Sequence, residues 1–223
     1  MSLDSIGKNT EGILNSIPPG VELVAACKMR TPEEIQAAVD AGVKLIGENY
    51  IQEAEEAYSK VSGDIKWHFI GHLQRNKINR AVKICDMIES LDSYRLAKEL
   101  DSSCQKASKV MQCLIEVNSG REQNKHGILP EDVEAFAKKV SFLANINVMG
   151  LMTMGPLSGS QEDFRPYFMT TAVLYRKLRD MAIPGIQMKY LSMGMTASYQ
   201  VAIEEGANIV RVGTALFGPR TKE

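Results

Sequence analysis

Short runs of Val, Ile and Leu recur along the chain: VELVAAC from Val21, VKLIG from Val43, IKWHFIG from Ile65, CDMIES from Cys85, VMQCLIEVN from Val110, INVMGLMTM from Ile146, MKYLS from Met188 and NIVRVG from Asn208. A strand with one wet face alternates apolar and polar side chains, whereas these eight are apolar on both faces, the pattern of a parallel sheet covered by helices. The segments between them carry helix periodicity with start and stop signals. In TPEEIQAAVDAG, Thr31 is placed to cap, Pro32 fits the first helical position, Glu34 completes a capping box and Gly42 ends the helix. Ile35, Ala38 and Val39 share one face of that helix, and Val133, Phe136, Ala137 and Val140 repeat the pattern after Pro130. Leu96 and Leu100 mark a helix after the fourth run, and another is predicted from Thr196 to Gly206. Residues 1–20 add a helix ahead of the first strand that ends at Pro18-Pro19-Gly20, and Met154 to Gln161 reads as a long loop.

Eight strands alternating with helices in 223 residues, slightly under the usual ~250, predict an α/β fold: one compact (β/α)8 TIM barrel, a single domain over residues 1–223. The alternative is a doubly wound open sheet, but no GxGxxG fingerprint follows the first strand, where the chain reads CKMRTPEE. Lysine plus arginine (26) nearly cancels aspartate plus glutamate (27), so no electrostatic footprint points to nucleic acid or an anionic membrane, and a small-molecule partner is expected. MSLDSIGKNTEGIL has neither a basic n-region nor an apolar h-region, and no run is long enough to span a bilayer, so a cytoplasmic protein is expected. Cys27, Cys85, Cys104 and Cys113 fall at no metal-ligand spacing and read as buried thiols, with neither disulfides nor structural zinc.

Barrel chemistry sits at the carboxyl ends of the strands. The residues just past each run are Lys28, Glu48 and Asn49, His72, Asn118, Met152 and Thr153, Ser192 and Gly194, then Arg211, Gly213 and Thr214. Ser192-Met-Gly194-Met-Thr196 and Gly213-Thr214 follow strands seven and eight, where many barrels bind phosphate. Glycines let backbone amides approach an anion, and hydroxyls add donors. Either loop alone reads as a capped tight turn; two in adjacent positions point to phosphate.

By strand parity Val24, Ala26 and Lys28 share a face, which puts the lysine amine over the barrel axis if the other two are core. The ordinary role for such a lysine is to reach solvent or to pair with a strand-end carboxylate. The functional one is a Schiff-base lysine, because a desolvated amine near other cations loses its proton more readily than the usual ~10.4 and then attacks an aldehyde. A lysine facing a phosphate cup suggests pyridoxal phosphate. Ile209, Arg211 and Gly213 share a parity as well, so Arg211 is expected inside, either paired with an inward carboxylate such as Glu116 or donating to the pyridine nitrogen of that cofactor. An arginine there leaves the nitrogen unprotonated and the ring a weaker electron sink. His68 and His72 are four apart, a metal pair only on a helix; the segment reads as a strand, so His68 is expected to be a satisfied core histidine and His72 a mouth residue. His126 reads as a loop residue, and Arg75, Asn76, Lys77 and Arg80 as a solvated helix start.

With these residues in place the chain closely resembles the pyridoxal phosphate homeostasis protein family, which shares its fold with the N-terminal barrel of alanine racemase. The resemblance runs almost end to end and rests on LVAACKMRTPEEI, IGENYIQE, WHFIGHLQRNK, GLMTMGP, LSMGMT and VRVGTALFG. It implies that Lys28 forms a Schiff base with pyridoxal 5'-phosphate, that Ser192, Gly194, Gly213 and Thr214 surround the phosphate, that Arg211 lies near the pyridine nitrogen, and that Asn49 and Met152 flank the ring. It implies further a non-catalytic role in vitamin B6 and amino-acid homeostasis, by a monomer that holds a reactive aldehyde or hands it to pyridoxal-phosphate-dependent apoenzymes. Alanine racemase takes a tyrosine base from a second domain and a partner subunit, and the chain ends at Glu223 soon after the eighth strand, so a carrier is expected; the alternative is a small amino-acid racemase or lyase with Lys28 as its base. Two departures from the family pattern are Cys27, where serine is usual, and Ala197-Ser198, where acidic residues are usual.

Overall fold

The structure, a computed structural model, describes residues 1–156 and 158–219. Helix α1 (Leu3–Ser16) leads into eight strands, β1 (Glu22–Ala26), β2 (Leu45–Glu48), β3 (Lys66–Phe69), β4 (Met87–Leu91), β5 (Met111–Val117), β6 (Ile146–Thr153), β7 (Ile186–Ser192) and β8 (Ile209–Val212). Each pairs in parallel with the next, and β8 closes on β1, so the sheet is the expected closed (β/α)8 barrel. Helices α2 (Pro32–Asp40), α3 (Ile51–Lys60), α4 (Ile78–Ile84), α5 (Tyr94–Lys106), α6 (Val133–Val140), α7 (Gln161–Met181), α8 (Tyr199–Glu204) and α9 (Thr214–Phe217) follow the strands in turn. Among the described residues no helix is long and apolar enough to cross a membrane.

Local chemistry places the elements much as the pattern requires. The capping box forms in full: Thr31 Oγ1 accepts from the Glu34 amide and the Glu34 carboxylate accepts from the Thr31 amide. The faces Ile35–Ala38 and Val133–Phe136–Ala137–Val140 are buried against the sheet. The loop between β6 and α7 lies where expected, with its Leu157 outside the described residues. The last long helix starts at Tyr199 rather than Thr196. Ser198 and Tyr199 both donate their amides to the Met195 carbonyl, and the Ser198 hydroxyl accepts from the Met195 amide, so residues 196–198 form a separate turn that delays the helix.

Strand parity divides the side chains into two populations. Leu23, Ala25, Cys27, Ile46, Trp67, Phe69, Val210 and Val212 face outward into the sheet–helix core. Val24, Leu45, Ile70 and Ile209 form one apolar cluster inside the barrel, and Met87, Leu114, Met149 and Met152 another. At Gly150, φ is +152° and a β-carbon would overlap the Tyr190 carbonyl, so only glycine permits the close approach of β6 to β7 at the irregularity there.

Candidate functional site

The carboxyl mouth is built from the ends of β1, β7 and β8, with β4 and β6 supplying its floor. Lys28 follows β1 in the inward register of Val24 and Ala26. Its amine lies 4.9 Å from the centroid of the Tyr50 ring and makes no hydrogen bond or ion pair among the described residues. The turn that carries it is fixed from three sides. Met29 adopts φ +59°, a left-handed conformation costly for a methionine, and its amide donates to Glu53 Oε2 on α3 at 2.9 Å. The Arg30 amide closes back on the Cys27 carbonyl, and its guanidinium donates to the Gly218 carbonyl and pairs with Glu34. Glu53 and Arg30 were not singled out from sequence, because the contacts that fix the lysine's turn, from Glu53 on α3 and between Arg30 and the Gly218 carbonyl, join residues remote along the chain.

Arg211 pairs in register with Val24, four positions before Lys28, so the lysine lies roughly 13 Å further along the strand direction at ~3.3 Å per residue. Lysine thus occupies the rim and arginine the floor. Arg211 is 3% exposed. Burial pushes its guanidinium below the ordinary value, with Glu89 and Glu116 pulling upward. Its ion-pair partner is Glu89, at 3.8 Å, where Glu116 was expected. The difference arises from Ser192, which bridges the pair: its hydroxyl donates to Glu89 Oε2 at 2.6 Å and accepts from Arg211 Nη1 at 2.5 Å, and Arg211 Nη2 donates to the Thr153 carbonyl at 2.8 Å. Glu116 is buried near Arg211, but its carboxylate makes no hydrogen bond among the described residues; burial and the charge of Asp92 raise its pKa to about 7.

Below Glu89, His68 Nδ1 lies 2.7 Å from Glu89 Oε1, which makes His68 the satisfied core histidine its strand position predicts. The carboxyl remains below its ordinary range: burial raises it, and the hydrogen bond from His68, the Arg211 charge and the Ser192 hydroxyl more than offset that. Glu89 carried no sequence signal beyond lying in an apolar strand.

Next to the Lys28 turn, on the strands that follow β1 around the closed barrel, the loops after β7 and β8 meet. The Ala215 amide donates to Thr196 Oγ1 at 3.2 Å, tying one loop to the other. The amides of Thr196, Ala197, Gly213 and Thr214 have no acceptor among the described residues, and Thr214 is exposed. These donors and two threonine hydroxyls make a cup of the kind an oxyanion fills. Gly213 also lets the chain pass the Ala26 carbonyl, where a β-carbon would come within 3.0 Å. Gly194 has a different reason to be glycine: φ is +87°, and a β-carbon would lie 2.6 Å from Ala202 Cβ and 2.8 Å from Tyr199 Cα on α8. The Ser192 hydroxyl is engaged in the floor rather than the cup. Met152 lies in the inner apolar cluster, and Asn49 is half-buried beside a cavity of about 330 Å³ that it shares with Tyr50, Gly71 and His72.

Other strand-end residues have local duties. Asn118 closes its own loop, bonding the carbonyl and amide of Glu122. Arg75 pairs with Glu99 and Arg80 with Glu55, as a solvated helix start should. His72 and His126 stack with centroids 3.7 Å apart and planes 12° apart, each with Nδ1 toward Asp92 Oδ2. The cluster contains metal-ligand residue types, but an ion in the plane of one ring lies well out of the plane of its parallel neighbour. Glu48 faces away from the barrel axis and contributes nothing to the mouth.

Comparison with known proteins agrees with this architecture. The family described as "Alanine racemase, N-terminal domain" matches residues 1–221. The chain is 40% identical over 205 residues to a protein of Aquifex aeolicus named pyridoxal phosphate homeostasis protein, covering 89% of this chain and 87% of that one. It is 34% identical over 213 residues to the human protein of the same name, covering 89% and 76%. Among solved structures it is similar to PipY of Synechococcus elongatus with PLP bound, at a TM-score of 0.88 and 31% identity over 96% of this chain and 100% of that one. An alanine racemase of Clostridium difficile shares the fold, at a TM-score of 0.78 and 15% identity, with 57% of its chain covered. A lysine rim, an arginine floor and a cup of free amides thus occur in a chain that belongs to the alanine racemase N-terminal domain family, among its pyridoxal phosphate homeostasis proteins.

Proposed function

We propose that this protein binds pyridoxal 5'-phosphate as a Schiff base on Lys28 and serves vitamin B6 and amino-acid homeostasis by holding this reactive aldehyde or handing it to apoenzymes that need it. The observation that carries the reading is that a lysine amine and a cup of backbone amides, all without partners among the described residues, share one barrel opening on the neighbouring strands β1 and β8. The donor set fits such a ligand. The Thr196, Ala197, Gly213 and Thr214 amides and the Thr196 and Thr214 hydroxyls suit a phosphate dianion. Two of the five N–H groups of Arg211 are used by Ser192 and Thr153, which leaves donors for a ring nitrogen above it. Asn49 and Met152 are the residues we assign to flank the ring.

When bound, the cofactor supplies an aldehyde that condenses with a primary amine and a conjugated ring that accepts electron density. The chain's own residues do the rest. Lys28 offers the nucleophilic amine; its turn, fixed by Glu53, Arg30 and the left-handed Met29, fixes where that amine points. Arg211 presents permanent donors, and its positive charge keeps a proton off any nitrogen it contacts. We place the carrier in the cytoplasm as a monomeric single domain.

The test is an absorbance titration of the purified protein with pyridoxal phosphate. The wild type is expected to develop the long-wavelength band of a protonated Schiff base, and Lys28→Ala to leave the ligand with the spectrum it has free. Equal bands in both proteins would overturn the assignment. Turnover is tested by incubating loaded protein with D- and L-amino acids; lysine-dependent racemisation at enzyme-like rates would replace the carrier reading with an enzymatic one.

A further inference from the structure

Arg211 cannot orient itself. A guanidinium buried inside a barrel is a rotatable, costly charge unless partners fix both its position and its plane. Among the described residues two contacts do this, Nη1 to Ser192 Oγ and Nη2 to the Thr153 carbonyl. The second acceptor is backbone and cannot turn. The first is a hydroxyl, whose proton the guanidinium cannot accept and which therefore needs a second partner to fix it.

Glu89 is that partner. Its Oε2 takes the single Ser192 hydroxyl proton at 2.6 Å, so the hydroxyl lone pairs face Arg211. Oε1 is held from below by His68 Nδ1 at 2.7 Å, so the carboxylate itself cannot rotate. The chain His68, Glu89, Ser192, Arg211, Thr153 carbonyl thus has one proton arrangement that satisfies every member, and it ties β3, β4, β7, β8 and β6 together across the barrel. Glu116, the other inward carboxylate near the guanidinium, bonds to none of them.

We propose that Glu89 is a positioning residue, which sets the Ser192 hydroxyl and through it holds the Arg211 guanidinium in the orientation that meets the ring of pyridoxal phosphate. The identity of that ligand rests on the reading above; the control of Arg211 by Glu89 does not.

The experiment therefore reads Arg211 directly. In the isotope-labelled full-length protein without ligand, hydrogen exchange at Arg211 Nε–H is followed by NMR, with the buried indole N–H of Trp67, the only tryptophan, as an internal control for general loosening. Glu89→Gln keeps the shape and removes the charge, and Ser192→Ala keeps the charge and removes the link. Both variants are expected to accelerate Arg211 exchange about tenfold or more, as loss of a charge-assisted hydrogen bond should, with Trp67 exchange unchanged. In the loaded protein, Glu89→Gln is expected to shift the absorbance band relative to wild type. Arg211 exchange unchanged in both variants, or accelerated only in step with Trp67, would overturn the proposal. Failure of the wild type to capture pyridoxal phosphate on Lys28 would overturn the functional reading instead, while the exchange measurement still decides the role of Glu89.

Discussion

Glu48 gives the structure a pH dependence that a single isosteric substitution isolates. It ends β2, is 1% exposed, and neither carboxylate oxygen has a hydrogen-bond partner among the described residues. Burial, with Glu53 adding to it and the nearby Asn49 amide pulling the other way, raises its pKa to about 8. The sign follows from linkage. Below pH ~4.5 the carboxyl is protonated in folded and unfolded chains alike and costs nothing; above it the unfolded chain releases the proton and the folded one retains it, so stability falls until the folded pKa is passed. The shift from 4.5 to about 8 corresponds to about 5 kcal/mol, of which about 4 kcal/mol falls between pH 5 and pH 8. Glu48→Gln removes the titration and leaves that of Glu116 in place. Its buried amide lacks partners too and costs about 1–3 kcal/mol at every pH, so the slope carries the information rather than the absolute value. Urea unfolding of both proteins at pH 5, 6, 7 and 8 should show the variant gaining on the wild type by about 4 kcal/mol across the series. Parallel stability curves would refute the reasoning, because they would mean that Glu48 is ionised in the folded chain.

Two further outcomes test the site. Gly194→Ala forces a β-carbon into a left-handed residue and against Ala202 and Tyr199, and should cost about 2–5 kcal/mol in urea unfolding, the sum of backbone strain and overpacking; an unchanged midpoint would show that α8 gives way freely. Arg211→Glu places a third carboxyl beside Glu89 and Glu116 and should weaken pyridoxal phosphate retention and alter the spectrum of the bound form; identical affinity and spectra would remove Arg211 from contact with the ring.

The barrel was legible because its signals are local and repeated. Eight runs apolar on both faces state that the sheet is covered, and Thr31, Pro32, Glu34 and Gly42 mark a helix from start to stop within twelve residues. Parity then put Arg211 inside the barrel, in register with the inward Val24. Parity does not report contacts across the barrel. Which inward carboxylate meets Arg211 depends on the Ser192 hydroxyl that bridges them from a strand far away in sequence, and Glu89 and Glu116 are indistinguishable by alternation alone. Hydroxyls mislead in the same way: Ser192 and Thr196 lie in one motif, yet one is committed to the floor and the other joins the two loops of the cup. The start of α8 was misplaced because Ser198 competes for the backbone amides that would otherwise begin it.

The central claim is that the Lys28 amine meets the aldehyde of a ligand whose phosphate is held in the same barrel mouth. Borohydride reduction of the protein incubated with pyridoxal phosphate, followed by peptide mass spectrometry, tests this most directly. The reduced ligand should be fixed on the peptide containing Lys28, in a stoichiometry near one per chain; modification spread over surface lysines, or concentrated on any lysine other than Lys28, would contradict it.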